Sequence, residues 1–139
     1  MDARLIAWPA VAMALLTFVV AVRMFQVRIA QIKRERIRLQ TIATSSQAAQ
    51  KLTESGPADN YRNLFELPVL FYAALALCAQ MGFVSTLTLA LAWIFVVLRV
   101  AHSWIQCTYN RVKHRFYAFV GGFFVLVALW IVIAVDLLR

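Results

Sequence analysis

The chain reads as an all-α integral membrane protein, one domain of four transmembrane helices packed up and down with left-handed crossings. Three observations predict this class. Hydrophobic residues make up 63% of the chain and the mean hydropathy is +0.77, well above the roughly half-apolar composition of soluble domains. The apolar residues fall in stretches long enough to cross a bilayer, which takes about 20 helical residues. The basic residues, which give a formal charge of +8, are confined to the segments between those stretches, the signature of a cytoplasmic face.

The first stretch, Leu5 to Val22, lies between Arg4 and Arg23 and predicts a span over about 5–27. A signal-peptide core has its positive charge in front; here the strong charge follows, with no small-x-small cleavage site before it, so the span reads as retained. Pro9 sits in its outer turns, where proline costs least. Arg23, Arg28, Lys33, Arg34, Arg36 and Arg38 come next, opposed only by Glu35. Good helix formers and no Gly or Pro predict that the helix runs on to about residue 40. Residues 40–60 then form a loop, with Gly56-Pro57 as a turn signal and Asp59 or Asn60 as the N-cap of the next helix.

No residue from Leu67 to Leu98 is charged, a run too long for one span and too short for two separate ones. A tight turn at Gly82 to Ser85 resolves it, with spans over about 61–81 and 86–108. At 1.5 Å per residue, Glu66 then lies roughly 25 Å from that turn and Arg99 roughly 20 Å. The two reach similar depth, so an Arg–Glu contact is geometrically cheap, within one subunit or between two. The third helix ends near Asn110, and Arg111 to Arg115 is a basic connection. Phe116 to Val135 supplies the fourth span, about 116–136, closed by Asp136 and Arg139. Both basic loops are therefore expected in the cytoplasm and both termini outside.

The same distribution argues against a nucleic-acid partner, because the positive charge is a loop property rather than a patch on a folded face. Cys78 and Cys107 fall at opposite ends of their spans and cannot bridge within one subunit. No zinc spacing, phosphate-binding glycine loop, Gly-x-Ser-x-Gly or haem attachment occurs, so hydrolase, nucleotide and metal chemistry have no starting point. A small proton-coupled exporter would carry a carboxylate in the first span, and Leu5 to Val22 has none.

Two polar constellations remain. An ionisable group at the bilayer centre costs about 2.5–3.5 kcal/mol even on lenient insertion scales, so such residues face a partner, a ligand or water. Arg99, His102 or Ser103, Gln106 and Asn110 recur every three or four residues and form one helical stripe. Asn63 and Glu66 share a face of the second span, and Pro68 loosens the backbone beside them. Either the stripes line a polar cleft open to the cytoplasm, or a buried ion pair merely fixes helix packing. Membrane lipid is the expected partner of the basic run after the first span. Trp104 and Tyr109 suit an aromatic belt, His114 an interfacial loop, and Gly121-Gly122 a close helix approach.

Taken in order, these motifs resemble the membrane-associated proteins in eicosanoid and glutathione metabolism, the MAPEG family, and its bacterial branch in wording. Arg62-Asn63-Leu64-Phe65-Glu66 looks like the family's Arg-Asn-x-x-Glu, and Arg99-Val100-Ala101-His102 like its Arg-x-x-His. Gln26-Val27-Arg28 is similar to the segment whose arginine reaches the ligand, and Arg115 sits where the family places the arginine nearest the thiol. The resemblance implies a homotrimer in a bacterial inner membrane, with glutathione as cosubstrate between neighbouring subunits near the cytoplasmic face. It also implies Arg28, Arg62, Asn63, Glu66, Arg99, His102, Gln106 and Tyr109 as ligand-binding residues, Arg115 as the thiolate-stabilising catalytic residue, and no metal. Two positions depart from the pattern. Gln106 stands where the classical glutathione enzymes have tyrosine, with Tyr109 one turn further as a substitute, and Phe116 where the prostaglandin-synthase branch has serine. The implied activity is glutathione transfer to, or peroxidase action on, a lipophilic substrate; the other expectation is a non-catalytic protein binding a lipid or other anionic ligand.

Overall fold

A computed structural model describes residues 3–138. Among them there is no β-strand. Six α-helices form, α1 Ala7–Glu35, α2 Ser45–Lys51, α3 Gly56–Asn63, α4 Leu67–Met81, α5 Thr86–Cys107 and α6 Val112–Leu137. Four segments are long and apolar enough to cross a membrane: Arg4–Glu35, Gly56–Met81, Thr86–Cys107 and Val112–Leu137. Arg139, assigned to the outer face from sequence, lies outside the described residues.

Local chemistry sets each boundary. α1 stops at Glu35 rather than near residue 40, because Arg36 turns left-handed (φ 51°) and its N–H, with that of Ile37, closes on the Ile32 carbonyl. The segment expected as loop contains α2, whose N-cap Thr44 and Gln47 exchange side-chain and backbone hydrogen bonds in a capping box. α3 begins at Gly56 instead of beyond Asp59, since Pro57 at its first turn needs no N–H partner there. Gly82, with φ 73°, ends α4 by capping the Cys78 carbonyl, and a Ser85–Thr88 capping box opens α5. Asn110, also left-handed, lies beyond the end of α5.

The second span is not continuous. Pro68 has no N–H for the Leu64 carbonyl, and its ring would crowd that carbonyl in an unbroken helix. The chain leaves helical geometry at Glu66 (φ −100°, ψ −101°) before α4 starts.

α6 lies against α5 and α4, and α1 against α3, α4 and α5. The core is apolar, with Met13 and Val20 of α1, Phe71 of α4, Phe95 of α5 and Leu129 of α6 among its buried residues. Phe71 and Phe95 stack with ring centroids 4.4 Å apart. Much of the outer surface is large and hydrophobic, including Phe18, Val97, Phe124 and Ile131. In water that exposure would be costly, whereas lipid solvates it. The loop after α1 is strapped back by a buried glutamine: Gln31 donates to Glu35 and Thr53 and accepts from the Glu54 N–H.

Candidate functional site

At the basic end of the bundle, α3, α5 and the start of α6 surround a cavity of about 410 Å³. Three short periodicities build it. Asp59, Arg62, Asn63 and Glu66 follow at three- and four-residue steps, so one face of α3 and the break beyond it point inward. His102 and Gln106 come from α5. Val112, Arg115, Phe116 and Phe119 present one face of α6.

The floor is a hydrogen-bonded chain centred on the buried His102 and Gln106. The amide of Asn63 donates to Gln106 Oε1 at 3.2 Å. His102 Nε2 lies 2.9 Å from the same oxygen, and Nδ1 lies 3.1 Å from the Arg115 carbonyl. Both oxygens can only accept, so the single N–H of a neutral imidazole serves one of the two contacts, and both are hydrogen bonds only when the ring carries two protons. The imidazole is thereby oriented by α6 on one side and Gln106 on the other. The Arg115 guanidinium donates to Asn110 Oδ1 at 2.9 Å, and the Asp59 carboxylate accepts from Ser55 at 2.7 Å.

Behind this floor, Asn60 and Ser103 join α3 to α5: Ser103 Oγ donates to Asn60 Oδ1 at 3.3 Å, and Asn60 donates to Cys107 Sγ at 3.5 Å. The helices touch so closely there that a Cβ on Gly56 would stand 2.8 Å from the Gln106 carbonyl oxygen. Glycine at that position is a packing requirement.

The sequence-derived residues separate into three groups. Arg62, Asn63, Glu66, His102, Gln106 and Arg115 meet in the cavity. Arg99 does not line it. Its side chain is wholly buried, donates from Nη2 to the Asn63 carbonyl at 2.5 Å, and lies 5.8 Å from the Phe119 ring centre. Where the chain breaks before α4, the Asn63 carbonyl keeps only a long bond from the Glu66 N–H at 3.4 Å, and Arg99 donates to it as well. Arg34 pairs with Glu35 and Glu54, whereas Arg99 and Glu66 do not come within ion-pair distance of each other in one chain.

Arg28 and Tyr109 stand elsewhere. Arg28 lines a second cavity, about 250 Å³, between α1, α2 and α3, which Asp59 and Arg62 also border. Tyr109 is exposed past the end of α5, where its hydroxyl lies 3.2 Å from His114 Nδ1. Within one chain it stands away from the cavity, because the helix that would have carried it around has ended at Cys107. Asp59 and Phe119 are cavity residues that sequence reading missed. The three-residue step from Asp59 to Arg62 was the available signal; Phe119 had none, being one phenylalanine among many in an apolar span.

The lining is chemically mixed: two guanidinium groups, two carboxylates, an imidazole, two amides and two phenyl rings, with no hydroxyl or thiol. Such a set can hold a small zwitterion carrying several carboxylates, with arginine forks on the acids and a carboxylate on an ammonium.

The MAPEG family profile matches residues 6–135, nearly the whole chain. No curated protein and no solved structure matches it.

Proposed function

Because the chain belongs to the MAPEG family, membrane proteins of glutathione and eicosanoid metabolism in general, we propose that its polar cavity binds glutathione and that the bound thiol acts on a lipophilic electrophile or peroxide. The observation that carries this reading is the convergence of Arg62, Arg115, Asn63, Glu66 and His102 around one volume of about 410 Å³. That volume is within the range of small-molecule sites, about 300–1,000 Å³.

The donor set fits the ligand. Arg62 and Arg115 are suited to carboxylates, Glu66 to the ammonium, and Asn63 and His102 to directional hydrogen bonds. Glutathione would supply a nucleophilic sulfur, whose thiolate form is favoured by a neighbouring cation. Arg115 is the cation we assign to it. It enters the cavity from α6, beside Phe116 and Phe119, so the polar site meets apolar wall where a lipid-borne substrate could approach.

The assembly we propose is a homotrimer with the site between subunits, the whole chain forming one domain. The placement of Arg28 favours it: within one chain this side chain opens on the second cavity, so a role at the first calls for a neighbouring copy. We place the basic end in the cytoplasm and both termini outside, in a bacterial inner membrane.

One observation favours a second reading, binding without thiol activation. Gln106 is committed to Asn63 and His102, and no hydroxyl lines the cavity. Ultraviolet difference absorbance of the detergent-purified protein, titrated with glutathione near neutral pH, separates the two. A saturable thiolate band that disappears in Arg115→Ala supports catalysis. Calorimetric binding without the band supports the second reading, and no binding refutes both.

A further inference from the structure

A groove on the opposite side of α5 from the polar cavity has no part in the proposed reaction. It runs between α1 and α5 at the basic end, with a volume of about 480 Å³. Leu16, Val19 and Val20 line it from α1 and Val100, Ser103 and Trp104 from α5, with Arg23 beside Cys107 and Thr108 where α5 ends. Val19, Val100 and Trp104 are exposed, so the groove is open to the surroundings of the bundle.

Arg23 is the informative residue. It lies inside continuous α1, with Val22, Met24 and Phe25 around it, and the helix runs on to Glu35. It is exposed, and among the described residues it has no hydrogen bond or ion pair. A guanidinium at the edge of an apolar span is a functional-site candidate by default, because it must find an anion or water. Here apolar wall runs away from the charge toward the membrane interior. Trp104, 68% exposed beside it, is the residue type that settles at headgroup level.

We propose that this groove is a binding site for an anionic phospholipid of the leaflet at the basic end. The phosphate pairs with Arg23, and an acyl chain lies along Leu16, Val19, Val100 and Trp104. Charge complementarity selects this occupant. A neutral helix of another copy would cover the apolar wall and leave Arg23 without a counter-ion, whereas a phospholipid supplies the anion and the chain in one molecule.

The test is native mass spectrometry of the full chain, released from nanodiscs holding equal parts phosphatidylglycerol and phosphatidylcholine with identical acyl chains. The wild type is expected to retain phosphatidylglycerol selectively. Arg23→Gln should weaken that retention about five-fold, the contribution of one basic side chain near a charged surface. Arg23→Lys should keep most of it. Val100→Trp, which fills the groove and leaves the charge, should lower retention of the same lipid. Circular dichroism confirms that each variant is folded, and Val100→Trp keeps the proposal falsifiable if an Arg23 variant is not. Equal retention of the two lipids overturns the site, as does unchanged retention in Arg23→Gln. So does a cross-link between cysteines at Val19 of two copies, which would show that a second chain fills the groove.

Discussion

Replacing Gln106 by leucine removes the acceptor on which two elements converge. Its Oε1 takes a hydrogen bond from the Asn63 amide at 3.2 Å and faces His102 Nε2 at 2.9 Å. Both Gln106 and His102 are almost wholly buried. A buried polar group stripped of its partner costs about 1–3 kcal/mol, while a group that can reach water loses less. His102 therefore bears most of the penalty, and the half-buried Asn63, at the cavity wall, bears the remainder. The expected loss is about 2–4 kcal/mol. Leucine is somewhat larger than glutamine, so none of this loss is a cavity effect. Gln106→Glu keeps an acceptor oxygen in place and should fall between the wild type and Gln106→Leu. The assay is thermal or denaturant unfolding in detergent, followed by tryptophan fluorescence, with glutathione affinity measured on the same preparations. If Gln106→Leu stays within about 0.5 kcal/mol of the wild type, the range of an ordinary surface change, the buried network is not holding α3 to α5 and the reasoning fails.

Other consequences can be checked on the same material. Gly56→Ala sets a Cβ against the Gln106 carbonyl, which is backbone and cannot turn away; a loss of about 1–3 kcal/mol in unfolding experiments is expected from such overpacking. Gln31→Ala should free the strap from Lys51 to Glu54, measured as faster proteolysis there with the transmembrane melting point little changed. Tyr109→Phe should leave glutathione affinity unaltered by calorimetry, because the hydroxyl meets His114 outside the cavity; a tenfold loss would return Tyr109 to the site. Arg62→Ala should weaken the same affinity by about 1.5–3 kcal/mol, the range for a hydrogen bond to a charged group, and unchanged binding would count against the glutathione reading.

Much of the site was readable because helical spacing is local. Asn63 and Glu66 share a face by count alone, as do Arg99, His102 and Gln106, and the structure brings His102 and Gln106 to the cavity with them while Arg99 lies behind. Within one chain Arg99 does not reach ion-pair distance of Glu66, although the spacing put the two at similar depth. The Asn63 carbonyl, left with only a long bond from Glu66 at the break before α4, is the partner Arg99 takes. α2 was missed because a seven-residue polar helix carries little apolar periodicity, although the Thr44–Gln47 capping pair was in plain view. Gln31 gave no warning, since a glutamine on a basic helix looks solvated until the loop folds over it.

What the sequence determined by itself is whatever a single helix settles with its solvent: four apolar segments, the basic end, the turn at Gly82 to Ser85, and which polar residues share a face. Each depends on composition or short spacing against a uniform hydrocarbon medium. The tertiary structure decided which faces meet. Asn63 and Gln106 are 43 positions apart, and in lipid no contrast between apolar and polar surface tells one helix which neighbour to choose. Close packing at Gly56 and the few buried hydrogen bonds around Gln106 make that choice, and both exist only once the helices are together.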